Sequence, residues 1–127
     1  MSRALSDLDS RLRPIAVELI ARCVEAGIPV LIVTTGRTLA EQQAAVARGV
    51  SWTLHSKHLP QPPDGKSLAI DLAPYETYQL HGADKLNWDA ADPVWSRIGA
   101  IGQSLGLKWG VVINGVQRDP GHFELSL

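Results

Sequence analysis

Leu8, Leu12, Ile15, Leu19 and Cys23 recur at steps of three and four, a spacing that predicts a helix from about Asp7 to Ala26 with one apolar face. Ser6 and Asp7 can cap its start and Gly27 its end, while Pro14 places the regular part from near that residue onward. Ile28 to Thr34 is an apolar, β-branched run, which predicts a strand buried on both faces or nearly so. After a turn at Thr35-Gly36, Thr38 and Glu41 have the spacing of a capping box, opening a second helix, AEQQAAVAR, that stops at Gly49. Leu68 to Ala73 predicts another strand, and a polar, turn-rich segment follows from Pro74 to Asp92. Pro93 suits the first turn of a third helix, VWSRIGAIGQSLG, with Val94, Ile98, Ile101 and Leu105 on one face. Two short strands, Leu107 to Ile113 and Gly121 to Leu125, complete the pattern around a loop through Asn114-Gly115.

Helices and strands do not alternate regularly enough for a doubly wound parallel sheet. The order predicts an α+β domain, with helices packed on a small, mainly antiparallel sheet. A chain of 127 residues is long enough to bury a core without disulfide staples, and no repeat or linker divides it, so one domain over 1–127 is expected. Twelve basic residues against thirteen acidic ones give no basic field for nucleic acid or an anionic membrane. The start carries arginines with no apolar stretch behind them, and no run reaches the ~18 apolar residues of a membrane span. Together with the single Cys23, this predicts a soluble product of a reducing cytoplasm; action elsewhere would require release by something else. A monomer is expected.

The chemistry concentrates in SKHLPQPPDGKSLAID, residues 56–71. An aspartate inside the strand Leu68 to Ala73 is costly to bury unless something pairs with it. Among the four histidines, His58 precedes Asp71 and His122 follows Asp119. Two imidazoles and one carboxylate are a common protein ligand set for catalytic zinc, leaving one position open for water. A further carboxylate that does not bind the metal can move the proton. Each part also has a plainer reading. A strand histidine often serves packing, Asp71 could cap a turn or pair with an arginine, and Asp119-Pro120-Gly121 is a favourable turn sequence in any case.

Three ordered motifs widen the basis. Ser56, His58, Ala69 and Asp71 fit the form S-x-H-x-x-G-x-A-x-D, with Ser67 at the glycine position and six extra residues in the proline-rich loop before it. TTGRTLAEQ lies upstream and RDPGHFEL downstream. On these motifs, spread over residues 34 to 125, the sequence resembles the zinc peptidase superfamily that joins D-Ala-D-Ala carboxypeptidases with hedgehog-like domains. Within that superfamily it most resembles the phage-type L-alanyl-D-glutamate endopeptidases.

The resemblance implies a hedgehog/D-Ala-D-Ala peptidase-like fold, Zn2+ as cofactor, and the stem peptide of bacterial peptidoglycan as substrate. It also implies that His58, Asp71 and His122 bind the metal, that Asp119 is the general base, and that Arg37 stabilises the oxyanion. For Arg37 the alternative is a surface ion pair. Ser56 and Glu124 would support the site or touch substrate, or be respectively a turn serine and an exposed acid. A phage lysin made in the host cytoplasm and released through a membrane lesion fits the absent leader, and no wall-binding module is expected. A D-Ala-D-Ala carboxypeptidase or dipeptidase, or a metal-stabilised binding module without turnover, remains the alternative. The proline-rich loop is expected to form part of the cleft wall, and Trp52, Trp88, Trp95 and Trp109 to lie mostly in the core.

Overall fold

The computed structural model describes residues 1–49, 51, 53, 55–75 and 86–126; the expectation at Trp52 lies outside the described residues. In chain order the elements are α1 (Arg13–Glu25), β1 (Val30–Thr34), α2 (Leu39–Ala47), β2 (Ala69–Pro74), α3 (Val94–Ser104), β3 (Lys108–Trp109), β4 (Val112–Ile113), β5 (Val116–Gln117) and β6 (His122–Glu124). Four strands form an antiparallel sheet in the order β1-β2-β6-β3. The architecture is the α+β arrangement expected of the pattern.

The first helix starts later than its apolar spacing predicts. Pro14 fits only the first turn, where a missing N–H costs nothing, so regular helix begins at Arg13. Before it lie a 3-10 turn, Leu5–Asp7, and a short parallel bridge in which Asp9 N–H donates to the Ser67 carbonyl and Ser67 N–H to the Asp7 carbonyl. Leu8 and Leu12 are nonetheless fully buried with Leu19 and Cys23. Their spacing reports burial at all four, and helix at Leu19 and Cys23 but not at Leu8 and Leu12, in keeping with a regular helix that starts near Pro14.

Beside this bridge, the fully buried Asp9 takes two hydrogen bonds from the Arg11 guanidinium, at 2.9 and 2.8 Å. Arg11 also reaches the Pro62 carbonyl, and Asp64 accepts from the Ser10 amide and hydroxyl at 3.0 and 2.7 Å. The proline-rich loop is thereby fastened to the N-terminal segment.

β1 is an edge strand, not one buried on both faces, and Leu31 is exposed on it. The centre of the sheet is β2, paired on both sides, which explains its near-continuous apolar run. Its register sets Asp71 opposite His122 of β6 and beside Thr34 of β1.

The single strand expected over 107–113 is broken. Gly110 takes a positive φ of 66°, and the chain leaves the sheet to form a β4–β5 hairpin around Asn114 and Gly115, both also at positive φ. α3 buries Trp95, Ile98, Gly99 and Gly102, while Val94, Ile101 and Leu105 are only partly buried. Gly99 and Gly102 admit aromatic rings against the helix: a Cβ on Gly102 would overlap Phe123, and one on Gly99 would overlap Trp109. Trp88 departs from the expected core placement and is exposed. No helix among the described residues is long and apolar enough to cross a membrane.

Candidate metal centre

Two adjacent strands and one loop bring His58, Asp71 and His122 together. The β2–β6 register brings Asp71 Oδ1 within 2.9 Å of His122 Nδ1. His58 arrives from the loop after α2, where its carbonyl accepts the Arg37 N–H at 2.9 Å and its own N–H donates to Ser56 Oγ at 3.1 Å. His58 Nε2 lies 3.1 Å from the same Asp71 oxygen. One ligand atom from each of the three residues lies within 4.8 Å of the others, a group able to hold a metal ion.

The hydrogen bonds around the rings decide what those atoms are. His58 Nδ1 sits 2.7 Å from the Thr35 carbonyl, which can only accept, so this nitrogen carries the proton and Nε2 presents a lone pair. That Nε2 is buried and, despite its closeness to Asp71, has no hydrogen-bond partner. A lone pair facing a carboxylate in the interior is repulsive unless a cation lies between them. On the other ring, His122 Nε2 lies 3.0 Å from Glu124 Oε1 and donates to it, leaving Nδ1 towards Asp71. This carboxylate–histidine pairing is the one that orients metal-ligating imidazoles.

In the absence of a metal, a proton must do the cation's work. Burial lowers the pKa of His122, but its hydrogen bonds to Asp71 and Glu124 push it up to about 10. Burial raises the Asp71 pKa, and the hydrogen bond from His122 opposes this and holds it well below the usual carboxylate range. Hydrogen bonding from His122 likewise lowers Glu124. A divalent cation at the three ligand atoms would replace the His122 Nδ1 proton and leave both outer N–H bonds in place. The donor set therefore fits a metal, with two neutral nitrogens and one carboxylate oxygen as zinc prefers.

Asp119 stands at the edge of this group, its Oδ2 4.0 Å from His122 Nδ1 and its side chain 43% exposed. Partial burial, and then the Asp71 charge, raise its pKa. It is close enough to act on a molecule bound beside the three ligands, yet it is not one of them. Arg37 shares the same cleft, of about 270 Å3, with Ser56, Asp119, Glu124 and the three ligand residues. Arg37 Nη1 donates to Gln42 Oε1 at 3.0 Å. Ser56 serves as a turn serine under His58, with its hydroxyl on the His58 amide.

Gln42 escapes the sequence reading. It is fully buried on α2, and its amide also donates to Ser51 Oγ and the Thr53 carbonyl at 2.7 and 2.6 Å. One side chain thus ties Arg37 to Ser51 and Thr53, which also line the cleft. The available signal was a glutamine on the same helical face as the buried Ala45. The proline-rich loop is also placed differently from expectation. Pro60, Gly65, Lys66 and Ser67 line a separate hollow of about 240 Å3, which meets the metal cleft only at Arg37 and His58. The reason is the loop's anchoring through Asp64 and Pro62 to the N-terminal segment.

Among solved structures, the fold is similar to that of the Serratia marcescens L-Ala D-Glu endopeptidase ChiX. The match has a TM-score of 0.67 at 22% identity, covering 96% of this chain and 83% of that one. It is also similar to a mutant of the vancomycin resistance D,D-pentapeptidase VanY from a VanB-type cassette, solved with Zn(II). There the TM-score is 0.55 at 17% identity, over 93% of this chain and 72% of that one. No curated protein sequence matches the chain. The model of the phage L-alanyl-D-glutamate peptidases, however, matches residues 1–124, nearly the whole length, and the chain belongs to that family.

Proposed function

We propose that the chain is a zinc peptidase that hydrolyses the L-alanyl-D-glutamate amide in the stem peptide of bacterial peptidoglycan. The observation that carries this reading is the buried, partnerless Nε2 of His58 pointing at Asp71 and His122. His58, Asp71 and His122 hold the metal. When bound there, zinc polarises a carbonyl oxygen and lowers the pKa of water towards neutrality.

Asp119 takes the proton from the attacking water and returns it to the leaving amine, a role suited to a partly exposed carboxyl with a raised pKa. Arg37 keeps guanidinium N–H groups beyond the one held by Gln42, and these stabilise the negative charge that develops on the carbonyl oxygen. Glu124 holds the His122 ring in its ligating tautomer, and Ser56 fixes the backbone under His58.

In this reading the enzyme is made in the cytoplasm of the bacterial host and reaches the wall through a membrane lesion made by another protein. Its substrate is the stem peptide, which needs no basic surface to bind. A D-Ala-D-Ala carboxypeptidase would use the same centre with a different groove. A binding module without turnover would have no use for Asp119 beside the ligands. Digestion of purified peptidoglycan separates these: new N-terminal D-glutamate supports the proposal, free D-alanine assigns the carboxypeptidase, and no product assigns the binding module.

A further inference from the structure

Adjoining the metal cleft at Asp71 and Asp119 lies a further hollow of about 260 Å3, and Arg37 is not among its lining residues. Val33, Leu72, Trp88 and Trp95 supply apolar walls, and the charged side chains among the described lining residues are Asp71 and Asp119. Trp95 is buried, with its indole N–H on the Asp89 carbonyl at 2.9 Å. Trp88 stacks on it with centroids 6.5 Å apart and planes 28° apart, yet is itself 56% exposed. A broad aromatic face beside an apolar hollow with acidic walls suits a ligand with an aliphatic stem and a cationic end. It is poorly suited to an anion.

We infer that Trp88, backed by Trp95, forms the subsite for the diamino acid that follows D-glutamate in the stem peptide. The inference rests on the proposed function. Asp71 and Asp119 line both the metal cleft and this hollow, so the two adjoin at those residues. If Asp119 hands its proton to the leaving amine, the part of the substrate carried by that amine departs on Asp119's side. That part continues through the γ-carboxyl of D-glutamate to a residue with a methylene chain ending in an ammonium group. The methylenes and the ammonium lie across the Trp88 face.

The test compares N-acetyl-L-alanyl-γ-D-glutamyl-L-lysine with the same peptide ending in L-alanine, using zinc-loaded protein. Wild type should favour the lysine peptide by about tenfold in kcat/KM, and Trp88→Ala should bring the two within about twofold. Trp88→Phe should keep most of the preference, and an unchanged melting temperature reports that each variant is folded. A wild-type ratio near one, or a preference that survives Trp88→Ala, overturns the inference. Failure of wild type to cleave either peptide would instead refute the proposed function.

Discussion

Replacing Glu124 by glutamine changes one charge at the back of the metal centre and little else. The side chain keeps its size and can still accept the His122 Nε2–H, now 3.0 Å from Glu124 Oε1. What is lost is the negative charge that makes the imidazole a stronger donor at Nδ1. Removing such an outer partner of a metal-bound histidine typically weakens metal binding ten- to a hundredfold, about 1.4 to 2.7 kcal/mol. Glu124 is only 16% exposed, so water screens the pair weakly. Because the amide still accepts the hydrogen bond, Glu124→Gln should fall near the tenfold end, and Glu124→Ala nearer a hundredfold. Competition against a chromogenic chelator gives the zinc affinities, and hydrolysis at saturating zinc should recover most of its rate in Glu124→Gln. Zinc affinity in both variants equal to wild type would refute the reasoning that Glu124 supports the ligand.

Gln42→Leu should lower kcat by about tenfold, because Arg37 loses the acceptor that orients it. If Gln42 acts through Arg37, Gln42→Leu should cost little more once Arg37→Ala is already present; additive losses in the double variant would contradict an orienting role. Gly102→Ala drives a methyl group into the Phe123 ring and should cost about 1–3 kcal/mol of stability, read from urea midpoints. An unchanged midpoint would mean that the helix and ring are not packed as described. The Arg11 hydrogen bond holds the Asp9 pKa at about 2, against an ordinary 3.8. Between those values the unfolded chain binds more protons than the folded one, so this stabilisation is complete above about pH 4 and fades as pH falls towards 2. Asp9→Asn should be less stable than wild type at neutral pH and lose less stability on acidification; parallel stability–pH curves would count against it.

Of the three candidate ligand residues, Asp71 was legible from packing alone, and His58 and His122 only through the motifs around them. Asp71 interrupts an apolar strand, and the strand register then answers the question by placing His122 opposite. The capping box at Thr38 and Glu41 was equally readable, since it is a local device with both partners within one turn. Long-range contacts were not. The apolar spacing from Leu8 to Cys23 reports a buried face, but Pro14 and the bridge from Leu8 to Ser67 divide it between an irregular segment and a helix. Val30–Thr34 reads as a central strand because its apolar content is high, and nothing local says that it lies at an edge. Gly110 breaks a strand through a positive φ that the residue type permits but does not demand. Gln42 and the stacked Trp88 gain their meaning only from partners distant or exposed in ways that periodicity does not encode.

Hydrolysis by this chain should require a metal held by His58, Asp71 and His122. Zinc should be added in known equivalents to chelator-stripped protein while release of N-terminal D-glutamate from peptidoglycan is followed, in wild type and His58→Ala. The predicted result is activity that rises in proportion to zinc up to one equivalent per wild-type chain, with neither tight binding nor activity in the variant. Full hydrolysis by the stripped wild-type protein would contradict it.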